Sequence, residues 1–218
     1  MKSASLDETT FKNIDLIAKS PYEFIRQCVF TRDEVDSSNP VKPAPSDLAY
    51  IKVFCHMFMR ERLIAVPKSR RMWVTWLVLA CFLWDTVFNR VRANFIQSKK
   101  EDDADALLDR VEFMLEQIPV AVIPKKILPK WRRKFCHLEF AETGSYIKAI
   151  PQGADQLRQY TASGIFMDEF AFWDDAEATY GASVPTIQGG GRIVIVSTPP
   201  DNSSPQGSFF ERLVYDRL

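Results

Sequence analysis

Residues 164–173 read GIFMDEFAFW, and the fold follows from this stretch. The run from Gly164 to Met167 carries no polar side chain, which is typical of a strand buried on both faces of a parallel sheet. Asp168 and Glu169 follow directly, at the edge of the sheet where ligands of open α/β proteins bind. One carboxylate able to hold Mg²⁺ beside another able to polarise a water suits nucleotide hydrolysis. The alternative for the same pair is a solvated turn without chemistry.

Two other strand-like runs also end on polar residues. Leu63 to Val66 leads into the turn Pro67–Thr75, PKSRRMWVT, and Arg192 to Val196 leads into Ser197-Thr198-Pro199. Because the carboxyl ends of parallel strands lie at one edge of a sheet, a ligand site is expected where these polar clusters meet Asp168-Glu169.

Between these runs the chain alternates helix-like and strand-like segments. Residues 104–118 repeat apolar side chains at helical spacing, whereas residues 135–140 and 146–150 predict a hairpin. The alternation predicts an α/β fold over residues 61–218, with a mostly parallel sheet and helices on both of its faces. Residues 1–60 are predicted as an N-terminal helical segment, or lid, that packs on this core.

Composition and patterning argue against a protein held to nucleic acid by its overall charge, a cysteine-based zinc site, a secreted protein and a membrane-spanning one. Lys and Arg number 28, as do Asp and Glu, so no overall field attracts a polyanion and any contact with nucleic acid must use local patches. The four cysteines form no C-x-x-C pair and are read as reduced thiols of a cytosolic protein. The start of the chain lacks the basic flank and apolar run of a secretory signal. The longest apolar stretch, residues 72–84, is shorter than the roughly 20 residues that cross a bilayer.

The turn Pro67–Thr75 is an imperfect phosphate-binding loop. The usual pattern, G-x-x-x-x-G-K-[ST], lets backbone N–H groups approach phosphates, puts a lysine on their oxygens and a hydroxyl on Mg²⁺. Here Thr75 supplies the hydroxyl, but Trp73 and Val74 stand at the second glycine and the lysine. A helix N-terminus after a strand still favours an anion. The cations that replace the lysine in this interpretation are Lys68, Arg70 and Arg71; a basic turn on a solvated face is the alternative.

Taken together, these stretches resemble the ATPase domain of large terminase subunits, the motors that pump double-stranded DNA into viral procapsids. The resemblance is to a pattern of five motifs that is spread over most of the chain. It is carried, in order, by CVFTRDE (28–34), VPKSRRMWVTW (66–76), NFIQSKKEDDADALLDRVEFMLEQIP (94–119), IPQGADQLRQYTASGIFMDEFAFW (150–173) and GGGRIVIVSTPP (189–200). It implies a P-loop NTPase core of the RecA-like kind that uses ATP and Mg²⁺.

The resemblance also implies a role for each polar cluster. Asp168 is expected to hold Mg²⁺ together with Thr75, and Glu169 is expected to activate the attacking water. Phosphate binding is expected from the turn, at Lys68, Ser69, Arg70 and Arg71, with the division of labour among the three cations left open. The hydroxyls expected to sense the γ-phosphate, unless they only cap the turn, are those of Ser197 and Thr198.

Arg158 matches the position where related terminases carry an arginine that reaches the nucleotide of a neighbouring subunit. Such an arginine stabilises charge on the transferred phosphoryl group. A structural ion pair is the alternative for this residue.

The implied partners are double-stranded DNA, a portal protein, a small terminase subunit and further copies of the chain in a ring on the procapsid. The expected location is the host cytoplasm, without a membrane. Only eighteen residues follow Pro200, too few for the nuclease domain of full-length large terminases, so no DNA cleavage is expected from this chain. The alternatives are another helicase or translocase ATPase, or a docking or DNA-binding module whose site has decayed at Trp73 and Val74.

A basic cluster lies apart from these motifs. Its six cations, with Trp131 and Phe135 between them, are Lys125, Lys126, Lys130, Arg132, Arg133 and Lys134. Cations interleaved with aromatic rings predict a surface that follows a nucleic-acid backbone. A solvated face, or a contact with acidic residues of another subunit, is the alternative.

Overall fold

The computed structural model describes residues 8–199 and 207–216. The first seven residues of the predicted N-terminal segment, and Pro200 of the last motif, lie outside the described residues. The helices are α1 (Glu8–Lys19), α2 (Pro21–Cys28), α3 (Ala49–Arg60), α4 (Val74–Phe88), α5 (Glu101–Gln117), α6 (Ala176–Ser183) and α7 (Gly207–Glu211). The strands are β1 (Phe30–Arg32), β2 (Val41–Pro43), β3 (Leu63–Pro67), β4 (Ala93–Ser98), β5 (Arg132–Lys134), β6 (His137–Phe140), β7 (Ser145–Pro151), β8 (Gly164–Asp168) and β9 (Arg192–Ser197).

Seven of the strands form one mixed sheet in the order β3-β9-β8-β4-β7-β6-β5. The first five are parallel, and β6 and β5 extend the sheet antiparallel beyond β7. The hairpin predicted for residues 135–150 is confirmed, since β6 pairs with β7. The remaining pair, β1 and β2, makes a small antiparallel ribbon within the proline-rich connection before α3.

Alternate residues of the sheet feed two hydrophobic cores, because successive side chains of a strand point to opposite faces. On one face Phe166 and Val194 join a core built with α2, α3, α4 and α5. On the other face Ile165 and Ile193 join a core built with α6 and α7. Helices therefore cover both faces of a mostly parallel sheet, which confirms the predicted fold class.

The N-terminal helices share the first of these cores. Ser20 caps α2 by accepting a hydrogen bond from the Glu23 N–H, and Pro21 occupies the first turn, where a missing N–H is tolerated. Ile17 and Phe24 are fully buried in the core. The indole of Trp84, on α4, donates to the carbonyl of Ile17 at 2.9 Å. This contact attaches α1 directly to the helix that follows the turn Pro67–Thr75.

Strand alternation divides the basic cluster between two faces. Arg133 points toward α5, where its guanidinium pairs with Asp105 at 2.7 Å and with Asp109 at 2.9 Å, and its side chain is only 14% exposed. Its neighbours Arg132 and Lys134 are exposed and point away from α5 because the strand is pleated. The six cations of residues 125–134 therefore do not form one continuous patch.

Replacing Arg133 with glutamine is expected to lower the free energy of unfolding by about 2 kcal/mol, because Asp105 would lose its charge partner in a half-buried site. Urea denaturation measures the change. The matched control is Arg132→Gln, next in the strand but exposed, for which a change below about 0.5 kcal/mol is expected. Equal effects of the two substitutions would contradict the division of the cluster.

No helix in the described ranges is both long enough and apolar enough to cross a membrane. All four cysteines are buried and free.

Candidate active site

Three strand ends meet at one edge of the sheet. The strand β9 lies between β3 and β8, with Pro67 opposite Ser197 and Asp168 opposite Val196. Because all three strands are parallel, the turns after them begin side by side. This register brings together residues that are about a hundred positions apart in the sequence.

Lys68 and Glu169 form an ion pair across this edge. The Lys68 Nζ lies 2.7 Å from Glu169 Oε1, and the lysine side chain is only 10% exposed. The backbone N–H of Lys68 donates to the Ser197 carbonyl at 2.9 Å, which fixes the start of the turn against β9. The second oxygen of Glu169 accepts hydrogen bonds from the Thr198 hydroxyl at 3.2 Å and the Thr198 N–H at 3.4 Å.

Thr75 and Asp168 form the second pair. The Thr75 hydroxyl, in the first turn of α4, lies 3.2 and 3.4 Å from the two carboxylate oxygens of Asp168. Burial raises the pKa of Asp168 to about 6, and the nearby negative charge of Glu169 adds to the rise. Lys68, the Thr75 hydrogen bond and Arg110 act in the opposite direction without offsetting it. An acid pair at the end of a buried strand thus has one member that is costly to ionise in the absence of a cation.

The turn before α4 keeps a backbone shape suited to glycine without having a glycine. Trp73, which stands at the second glycine of the usual phosphate loop, has φ 58° and ψ 5°, and Arg71 has φ 66°. Left-handed conformations of this kind cost a residue with a Cβ roughly 1–2 kcal/mol. The helix α4 begins directly afterwards, at Val74, so the N-terminal end of its dipole faces the turn.

Ser197 joins two of the three strand ends. Its hydroxyl accepts a hydrogen bond from the Ala171 N–H at 3.1 Å and lies 3.0 Å from the Thr198 carbonyl, to which it donates. Its backbone carbonyl accepts from Lys68, as described above. Ser197 is fully buried, whereas Thr198 is partly exposed and faces Glu169.

Three of the predicted phosphate-binding residues lie at the solvent side of the turn. Arg70 and Arg71 are exposed, and neither has an ion-pair partner among the described residues. Ser69 is also exposed, and its N–H points to the sulfur of Met72 at 3.4 Å. Of the three cations in the turn, only Lys68 forms an ion pair at the strand ends within the described residues, and its partner is Glu169.

Arg158 is not brought to this group of side chains. It lies in the loop after β7, is 66% exposed and pairs with Asp155 at 3.0 Å. It lines a surface cavity of about 520 Å³ together with residues of α6 and the turn after it, among them Ala178 and Thr186. Within the described ranges it makes no hydrogen bond or ion pair with the residues at the strand ends.

Two contacts at the site had no signal in the sequence. The Tyr50 hydroxyl, at the start of α3, donates to the Met72 carbonyl at 2.6 Å and so attaches the N-terminal segment to the turn. The Trp173 indole donates to the Asp168 carbonyl at 3.0 Å and stabilises the turn after β8. Neither contact belongs to a recognisable sequence spacing.

The side chains present fit a magnesium nucleotide. Magnesium commonly uses one or two carboxylates, retained waters and substrate phosphates. The carboxylate of buried Asp168 and the hydroxyl of half-buried Thr75 form such a donor set. No cluster of three or more His, Cys, Asp or Glu residues suited to a metal occurs within residues 8–199 and 207–216. The near-buried Lys68 and the α4 N-terminus supply the charge that a phosphate group requires.

No protein-family model matches the chain. Among solved structures, the large terminase of bacteriophage HK97 matches with a TM-score of 0.59 at 14% identity, over 84% of this chain and 37% of that chain. An ATPase-domain variant of the Thermus phage P74-26 large terminase gives 0.49 at 14% identity, over 68% and 64%. The large terminase of another thermophilic bacteriophage, in complex with ADP, gives 0.44 at 16%, over 63% and 33%. In each case the match spans less than two thirds of the other chain. The likeness to the HK97 protein confirms the predicted resemblance at the level of fold: this chain shares the fold of part of that large terminase.

Proposed function

We propose that the chain is an ATP-hydrolysing motor domain of the large-terminase kind, which moves double-stranded DNA into a procapsid. One observation carries the proposal: the Lys68–Glu169 ion pair at 2.7 Å stands beside the Thr75–Asp168 contact at one sheet edge. This set contains a phosphate-binding cation, a magnesium ligand pair and a general base. The proposed setting is a ring of copies with a portal protein and a small terminase subunit, in the host cytoplasm.

In the proposed mechanism Asp168 and Thr75 would hold Mg²⁺, and the ion would supply positive charge to the phosphate oxygens. Lys68 and the N–H groups at the start of α4 bind the phosphates. Arg70 and Arg71 add positive charge from the solvent side of the turn.

Glu169 acts as the general base in this mechanism. Without a nucleotide, one oxygen of Glu169 pairs with Lys68 and the other accepts a hydrogen bond from Thr198. The positive charge of Lys68 therefore compensates the negative charge of the carboxylate. Phosphates that draw Lys68 away release one oxygen of Glu169 for a water. Thr198, bound to the other oxygen, keeps the carboxylate oriented and senses whether the terminal phosphate is present.

Arg158 is proposed to act on the nucleotide of a neighbouring subunit. Its exposure and its position outside the strand-end group fit a residue that works across an interface. Asp155 holds it in the isolated chain.

Lys68 is expected to be the main phosphate-binding cation. Substitution Lys68→Ala should raise the Kd for a non-hydrolysable ATP analogue about tenfold to a hundredfold, because a charge-assisted contact in a nearly buried position is lost. Titration calorimetry in the presence of Mg²⁺ measures this effect. The internal controls, Arg70→Ala and Arg71→Ala, remove the same charge from exposed positions and should change Kd less than about threefold.

A larger loss of affinity in either arginine variant than in Lys68→Ala would contradict this assignment. No heat from the wild-type chain at millimolar nucleotide would favour the non-hydrolysing docking module, with Trp73 and Val74 as the positions where the site decayed.

A further inference from the structure

One face of the antiparallel end of the sheet is not covered by a helix. In the described ranges α6 and α7 pack against each other and against the short turns that follow β8 and α6. Their apolar side chains share a core with those of β9. On the other face α5 packs against β6 and β7, α4 also contacts β7, and Arg133 of β5 reaches Asp105 of α5. The outer face of these three strands is here called the β5–β7 platform, and its residues are Arg132, Lys134, His137, Tyr146, Lys148 and Tyr160.

Register and alternation place these side chains on the same face. His137 pairs with Lys148 and Glu139 with Tyr146, while the residues between them, Leu138 and Ile147, are buried in the core against α5. Arg132 and Lys134 flank Arg133, which reaches α5. Tyr160 joins from the loop after β7, where its hydroxyl accepts a hydrogen bond from Lys148 at 2.8 Å.

The platform combines cations with aromatic rings. The rings of His137 and Tyr146 lie 5.5 Å apart with an interplanar angle of 30°, and the ammonium group of Lys148 lies 5.0 Å from the centre of the Tyr160 ring. Arg132 and Lys134 are exposed, and the three rings are partly exposed. The acid on this face, Glu139, lies 3.7 Å from Lys134 and 3.5 Å from His137. The face is therefore net positive.

We propose that the β5–β7 platform binds single-stranded DNA. Phosphates contact Arg132, Lys134 and Lys148, and a base stacks on the exposed side of the His137–Tyr146 ring pair. Cations along a backbone and rings for unpaired bases are the two elements that sequence-tolerant single-strand binding requires. A duplex would leave the rings unused because its bases already stack on one another, and an acidic peptide would engage only the cations.

The platform extends toward the edge of the sheet that carries the candidate active site. His137, where β6 begins, is opposite Lys148, three residues before β7 ends at Pro151, and β5 ends at Lys134 opposite His137. Three strand spacings separate β8 from β6, or roughly 14 Å. A bound strand would thus lie next to the nucleotide site without entering it.

The test is fluorescence anisotropy of the full chain with a labelled oligothymidylate of about 12 nucleotides, within the usual site size, without ATP or Mg²⁺. The variant Arg132→Gln/Lys134→Gln should raise the Kd about tenfold at low salt and reduce the slope of log K against log salt by about 1.4, since each lost phosphate contact removes about 0.7. The variant His137→Ala should raise the Kd about fivefold or more, and the wild type should bind an abasic strand of equal length correspondingly less well.

The matched control is Lys12→Gln/Lys19→Gln, which removes two exposed lysines of α1 and gives the same net charge. It should bind as the wild type does, as should Lys68→Ala, so failure of the platform and failure of the active-site proposal are distinguishable. Equal losses in the control and platform variants, equal affinity for the abasic strand, or displacement of the labelled strand by a duplex at a lower concentration than by unlabelled single strand would overturn the proposal. Displacement of the strand by an equal concentration of a glutamate-rich peptide would identify an acidic protein segment as the occupant and would also overturn it.

Discussion

Substitution of Glu169 by glutamine is expected to lower kcat for ATP hydrolysis about 10²- to 10⁴-fold, the usual contribution of a general base. Glutamine keeps the length and one oxygen of the side chain, so the Thr198 hydroxyl retains an acceptor. It carries no charge, so Lys68 loses its internal partner and is freer to bind phosphate. The Kd for a non-hydrolysable analogue should therefore stay the same or fall while turnover is lost.

The control for this prediction is Glu177→Gln. Glu177 is also an acid paired with one cation, Arg212, at 2.8 Å, but it lies on α6 and is 67% exposed. Steady-state phosphate release should be unchanged in this variant. Turnover by Glu169→Gln within about threefold of the wild type, far short of the loss expected for a base, would remove Glu169 from that role.

Substitution of Asp168 by asparagine is expected to stabilise the nucleotide-free chain at pH 8 by about 1–3 kcal/mol while removing its magnesium-dependent affinity for nucleotide. Burial raises the pKa of this carboxyl from 3.8 to about 6, so above pH 6 the native state holds a charge in an unfavourable place. A shift of that size corresponds to roughly 3 kcal/mol. Asparagine has a similar shape and keeps an acceptor for Thr75, but it never ionises.

The stabilisation by Asp168→Asn is expected to increase with pH. Between about pH 4 and pH 6 the native state binds a proton at Asp168 that the unfolded state has released, so the contribution of this group to stability falls as pH rises through that window. The loss is nearly complete about one pH unit above the folded-state pKa of this carboxyl. Urea denaturation should therefore give nearly equal free energies of unfolding for wild type and Asp168→Asn near pH 4, and the full difference at pH 8.

A second buried carboxylate provides the matched control. Asp85, on α4, pairs with Arg92 at 2.8 Å and also accepts from Asn94, so Asp85→Asn should destabilise the chain by leaving Arg92 without its counter-charge. A destabilised Asp168→Asn variant at pH 8, resembling Asp85→Asn, would contradict an electrostatic cost at Asp168.

The sequence predicted which strands end on polar residues because that information is local. An apolar run followed by Asp168 and Glu169 needs no knowledge of the rest of the chain to indicate a buried strand and an exposed turn. Which cation faces the acids is not local. Lys68, Arg70 and Arg71 have similar chemistry, and only the path of the turn separates them, through the Lys68–Ser197 backbone hydrogen bond and the left-handed residues Arg71 and Trp73.

The basic cluster illustrates the same limit. Six cations within ten residues indicate a patch when they are counted along the chain, but Arg133 faces the acids of α5 and its neighbours face solvent. The alternation of a strand was available from the sequence. The position of Asp105 behind that strand was not, since it depends on how α5 packs on the sheet.

The position of β9 determines when, during synthesis of the chain, the strand ends of the candidate site come together. This strand is the last of the sheet along the chain, yet it lies between β3 and β8, so these two strands have no hydrogen-bonded contact with each other until it is inserted. Before residues 192–198 have left the ribosome, the acids and cations of the candidate site have therefore all been synthesised, but the strands that carry them are not yet held together. The candidate site is then assembled in one step, the insertion of β9, and non-local pairing of this kind is slow to form.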